Sequence, residues 1–184
     1  MTNKGVTFDN NQGDVTIINN GQEQRRATII GKLIEIIASQ QGEEMNLDRI
    51  PAEIDNKIDF NNLCEYRWLV DQYIGASLFM NEAVKELNQT VLNGSTKLKI
   101  QMKLFYFEAL ASQSISTNPF DISTLREKSD AVVKQVLELT DQLVRSSSDV
   151  QDGFFSEDIS YGVALVTSYS IIECVVLENP NDHA

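Results

Sequence analysis

Apolar positions recur at helical spacing over most of the chain, and they predict about five helices around one apolar centre. That centre is the stretch from Ser156 to Pro180, the least polar long segment. Ser156 is the predicted cap, Glu157 and Asp158 favour the positive end of the helix dipole, and Pro180 stops the helix. Apolar or small residues run almost all the way round it, the mark of a helix buried on every side. A first helix over 22–40 carries Ala27, Ile30, Leu33, Ile34 and Ile37 on one face, widened by Ile29 and Ile36, with Gly42 closing it. So wide a face implies either a central place or a partner surface. Residues 42–61 form a polar connector that Pro51 bars from being one continuous helix.

Asn62 to Glu65 reads as a capped start for the longest helix, over 62–92. Its seam runs Tyr66, Val70, Tyr73, Ser77, Met80, Val84, Leu87, Val91, broadened by Trp68, Leu69, Ile74 and Leu78. Asn93-Gly94 is a left-handed stop, and the short turn sends a helix over 95–114 back antiparallel. A helix over 121–147 follows, with Thr124 and Glu127 as its capping box and a seam of Leu125, Ser129, Val132, Val136, Leu139 and Leu143. Before all of these, residues 5–21 show period-two alternation. Val6 and Phe8, then Val15 and Ile17, flank a turn-rich middle, which predicts a short β-hairpin. The division is therefore a β-type ribbon over 1–21 and a helical bundle over 22–184. An isolated ribbon is marginal in water. Val6, Phe8, Val15 and Ile17, together with Ile29 and Ile36, are accordingly the candidate self-association or docking residues.

The net charge of −12 on 184 residues argues against a nucleic-acid surface, which needs clustered Lys and Arg. The one basic cluster, Lys97, Lys99 and Lys103, reads as a solvated face. Acidity leaves open an inhibitor or DNA mimic, although the acids are scattered. The apolar stretch is interrupted by Glu173 and lacks flanking Lys or Arg, so a membrane span is not expected. Residues 1–20 are polar and lack the apolar core of a secretion signal, which together with the acidity points to the cytoplasm. Cys64 and Cys174 read as buried free thiols, and His183 is the single histidine. These residues assemble no zinc site, and the Glu-x-x-His pairs of a di-metal bundle are missing, so no cofactor is expected. Phosphate loops and hydrolase motifs are absent as well. Glu173 is the one carboxylate in the apolar helix. It is either the acid of a hydrolase or, on energetic grounds, the partner of a nearby Lys or Arg.

Two stretches carry a family resemblance: KIDFNN, Lys57 to Asn62, and CVVLENP, Cys174 to Pro180. They resemble a K-I-x-[YF]-N-N segment and a closing C-x-[IV]-L-E-x-P segment in the C-terminal domain of bacterial ABC-three-component systems. The resemblance covers about 50–180 and rests on Lys57, Ile58, Asn61, Asn62, Cys174, Leu177, Glu178 and Pro180. It implies a helical module rather than a catalyst, working with a middle component and an SMC-like ABC ATPase in defence against phage. In that family an effector domain stands in front of the module; here the β-type prefix does. The motif residues have two readings, helix capping specific to the fold or contact with a partner.

Overall fold

The computed structural model describes residues 26–39, 52–148, 154–173 and 175–183. The described residues form six α-helices: α1 (Ile29–Ser39), α2 (Ala52–Asn61), α3 (Arg67–Thr90), α4 (Gly94–Ser112), α5 (Ile122–Ser146) and α6 (Ser156–Ile172). A 3₁₀ turn, Pro180–His183, follows them. This is the all-α bundle that the apolar spacing predicts. The predicted ribbon, with Val6, Phe8, Val15 and Ile17, lies outside the described residues.

α6 occupies the predicted centre. Every residue from 162 to 171 is buried, and the helix packs against α1, α3, α4 and α5. It shares that centre with α1, which touches α3, α4, α5 and α6. Ile30, Leu33, Ile34 and Ile37 are fully buried and Ile36 is 4% exposed. The wide face of α1 is therefore used within the chain. Ile36 thus belongs to the core of the chain itself, while Ile29 packs partly buried against that core. At the α1–α6 crossing the backbones come close. A Cβ on Gly162 would lie 2.9 Å from both Cγ atoms of Ile34, so only glycine fits without a shift.

Several predicted boundaries move, each for a local reason. Half of the predicted connector is α2, where Ile54, Lys57, Ile58 and Asn61 repeat at three- and four-residue steps. Asn62 does not start the long helix; it ends α2. Its φ is 54°, its N–H donates to Asp59 O, and Leu63 N–H donates to Ile58 O at 3.1 Å. That pair of bonds is a Schellman closure, which favours asparagine or glycine at the left-handed position. α3 accordingly begins at Arg67 and spans about 36 Å. Asn93 adopts the predicted left-handed conformation, with φ 57°.

α5 is capped by Asp121, not by Thr124. The Asp121 carboxylate accepts from Thr124 N at 3.0 Å and from Thr124 Oγ1 at 2.6 Å. The second of these bonds, then the first, holds the Asp121 carboxyl below the ordinary carboxylate range. The α5 seam turns onto Thr140 and Val144, both fully buried, while Leu139 and Leu143 are only partly so. A straight helix drifts off a seven-residue repeat in this way. Ser156 is the first residue of α6 rather than its cap. Phe155 precedes the helix, and its N–H donates to Asp158 at 3.2 Å. α6 ends at Ile172, well before Pro180. Cys64 lies exposed in the turn between α2 and α3, not buried in a helix, and Cys174 lies outside the described residues. Trp68 and Leu78, read as part of the α3 seam, are 44% and 73% exposed. No helix among the described residues is long and apolar enough to cross a membrane.

Candidate functional site

The first of the two motif stretches lies on α2 and its closing turn, and the second in the turns after α6. More than a hundred residues of chain separate them, and they meet. Ile58 is packed in the core at 1% exposure, and it sets the face of α2 that points inward. One turn of helix around it, Lys57 and Asn61 are also buried, at 5% and 0%.

The Lys57 ammonium donates to Ile171 O and, at 3.2 Å, to Val176 O. Ile171 belongs to the last turn of α6, where backbone carbonyls lack helical partners and the dipole is negative. A lysine from another helix thus completes the end of α6. Asn61 works on the next segment. Its Nδ2 donates to Lys57 O and to Glu178 O, each at 2.8 Å, and its Oδ1 accepts from Glu178 N at 3.0 Å. One side chain therefore satisfies both backbone groups of Glu178 as a neighbouring strand would. Between the two clamps Leu177 is buried at 1% with φ 65°. Branched residues adopt that conformation only when the surroundings impose it.

Glu178 turns its carboxylate away from the clamp. Tyr106 OH donates to Oε1 at 3.0 Å, and His183 Nε2 lies 3.2 Å from Oε2. The His183 ring stacks on Phe60, centroids 5.6 Å apart, and tilts against Phe120 at 6.1 Å. Burial, followed by the Glu178 charge and its hydrogen bond, pushes the Tyr106 phenol far above its ordinary range. Pro180 begins the 3₁₀ turn that brings His183 back.

Asn62 lies on the outer side of this region. Its Nδ2 donates to Arg126 O at 3.1 Å, and its carbonyl accepts from Ser129 Oγ at 2.9 Å. Asp130 accepts from the N–H groups of Cys64 and Tyr66. These bonds strap the α2–α3 turn to α5. Asn62 also lines a shallow groove with Ile122, Ser123, Arg126 and Glu127.

Glu173 stands just past α6. Lys99 of α4 meets it at 2.6 Å, with the two side chains 42% and 35% exposed, so it is paired with lysine as the energetics of an apolar helix suggested. A partly exposed pair of this kind adds less than about 1 kcal/mol. Glu173 lines neither the Asn62 groove nor a second groove of about 390 Å³ beside Trp68. Behind it, burial and then the Glu173 charge raise the phenols of Tyr73 and Tyr169 to about 12.

These phenols give a pH signature. Unfolded tyrosines ionise near 10, so Tyr73 and Tyr169 contribute stability that is complete below pH 10 and declines as pH rises toward 12. Absorbance of tyrosinate near 295 nm is expected to rise late and together with loss of helical circular dichroism. A full tyrosinate signal near pH 10 in a still-folded chain would contradict it.

Sequence reasoning found Lys57, Asn61, Leu177 and Glu178 as motif letters but did not see that they touch. It gave no role to Tyr106, and it noted His183 only as the single histidine. Among the described residues no cluster of His, Cys, Asp and Glu could hold a metal ion. Comparison of the chain with protein-family models, with curated proteins and with solved structures finds no match.

Proposed function

We propose that the chain is a non-catalytic assembly module of an ABC-three-component-like anti-phage system in the bacterial cytoplasm. In this reading it self-associates and docks on an SMC-like ABC ATPase with its middle component. The observation that supports it is the meeting of KIDFNN with CVVLENP through Lys57 and Asn61. Two short motifs far apart in the chain thus serve one structural purpose, a clamp that holds α2 to the turns after α6. It favours the capping reading of Lys57, Asn61 and Leu177, and it leaves partner contact to faces outside the clamp.

The test is co-expression of the chain with an SMC-like ABC ATPase and middle component of such a system, followed by size-exclusion chromatography and phage plating. Co-elution, and loss of protection when the chain is deleted, are expected. Separate elution together with unchanged plating would remove the proposal.

A further inference from the structure

We propose that α4 carries a self-complementary face through which two copies of the chain pair antiparallel. This rests on the self-association part of the reading above, and supplies a surface and a geometry for it. α4 is apolar on two opposite sides. Leu98, Met102, Phe105 and Ala109 are buried in the bundle, whereas Ile100, Leu104 and Phe107 are 57%, 56% and 45% exposed. Steps of four and three place those three residues on one stripe. Ala111, also exposed, extends the stripe to three turns.

Charge identifies the occupant. Lys97 and Glu108 are both exposed. Among the described residues no ion pair takes up either of them. They stand eleven residues apart, about three full turns, and so lie on the same flank of the stripe. A two-fold axis perpendicular to a pair of antiparallel helices brings that flank of one copy beside the same flank of the other. With the axis passing near residues 102 and 103, Lys97 of each copy meets Glu108 of the other, twice by symmetry. The same register sets Ile100 against Leu104 of the second copy and lays the Lys97 stem beside Phe107. A parallel pairing, with its two-fold along the helices, would instead turn this flank away from its counterpart and toward the Lys103 flank of the second copy, so that Lys97 and Glu108 would not meet. One like-charge approach remains, Lys103 with its counterpart on the opposite flank. That ammonium already lies over its own Tyr106 and Phe107 rings, 4.9 and 5.1 Å from the centroids. Each copy carries −12, so long-range electrostatics oppose pairing and the attraction has to come from this stripe and its two ion pairs.

Sedimentation equilibrium of the full chain alone, over a wide concentration range, reads this directly and involves no ATPase. Failure here therefore leaves the docking part of the function untouched, and failure to bind the ATPase leaves this pairing untouched. A monomer–dimer equilibrium is expected. Lys97→Glu and Glu108→Lys should each weaken it about tenfold, since either change turns two attractions into repulsions. The double variant should restore it, and Leu104→Ser should abolish it while the circular dichroism stays unchanged. A chain that stays monomeric at the highest concentration, or a double variant no tighter than the singles, would overturn the proposal. So would a dimer that survives Leu104→Ser but is lost in Val6→Ser/Phe8→Ser, which would move the interface to the N-terminal segment.

Discussion

Asn61→Ala is expected to lower the stability of the chain by about 3 kcal/mol, more than any other truncation in the clamp. Asn61 is wholly buried and holds three backbone groups: Lys57 O, Glu178 O and Glu178 N–H. Alanine leaves them without that partner, in a space too closed for bulk water to reach freely. A buried donor or acceptor left unpaired costs roughly 1–3 kcal/mol. For a chain of this size, that loss corresponds to a melting point lower by roughly 6–12 °C. Asn61→Asp should be worse at neutral pH despite its matching shape. Its carboxylate has no donors and would face two carbonyl oxygens. Thermal melts followed by circular dichroism decide the matter. A shift under about 2 °C for the alanine variant would mean that the clamp holds little.

The second large effect belongs to the α1–α6 crossing. Gly162→Val is expected to destabilise by about 3 kcal/mol, because its Cβ alone would stand 2.9 Å from both Cγ atoms of Ile34. Ile34 is fully buried, so it has little room to yield. Gly162→Ala should be milder. Its clash is partly offset by the roughly 1 kcal/mol that alanine gains over glycine inside a helix. The contact can be isolated with a double-mutant cycle. Ile34→Ala alone opens a cavity, but in the Gly162→Ala background the new methyl occupies part of that space. The two changes should therefore cost less together than their sum, by on the order of 1 kcal/mol. Strict additivity would show that the crossing relaxes by moving the helices apart.

The positions of these residues show where sequence reasoning succeeds. The all-round apolar character of α6 gave its central place, because a helix with no polar face has nowhere else to go. The same argument applied to α1 left two outcomes, centre or partner surface. Only the packing separates them, since periodicity measures the width of a face and not what covers it. α2 was missed because its polar positions dominate by count, although Ile54, Lys57, Ile58 and Asn61 mark one inward face. A buried lysine reads as a solvated one until its carbonyl partners are seen, and those come from the far end of the chain. The exposed stripe on α4 was hidden for the opposite reason. Leu104 and Phe107 lie among core residues of the same helix, and composition cannot tell two faces apart.

The pairing of α1 with α6 at the centre also bears on how the chain reaches its fold. These two helices come first and last among the six in chain order, so the central contact is among the least local in the molecule. Helical bundles usually fold quickly because their contacts are local. Here α3, α4 and α5 can assemble around α1 before α6 is made, but the groove that α1 itself presents to α6 stays open until more than a hundred residues beyond α1 have been made. An emerging chain would expose that apolar groove for the whole interval, the condition under which folding intermediates aggregate or recruit chaperones. Refolding should accordingly be slower than helix content alone suggests, with closure around α6 as the late step.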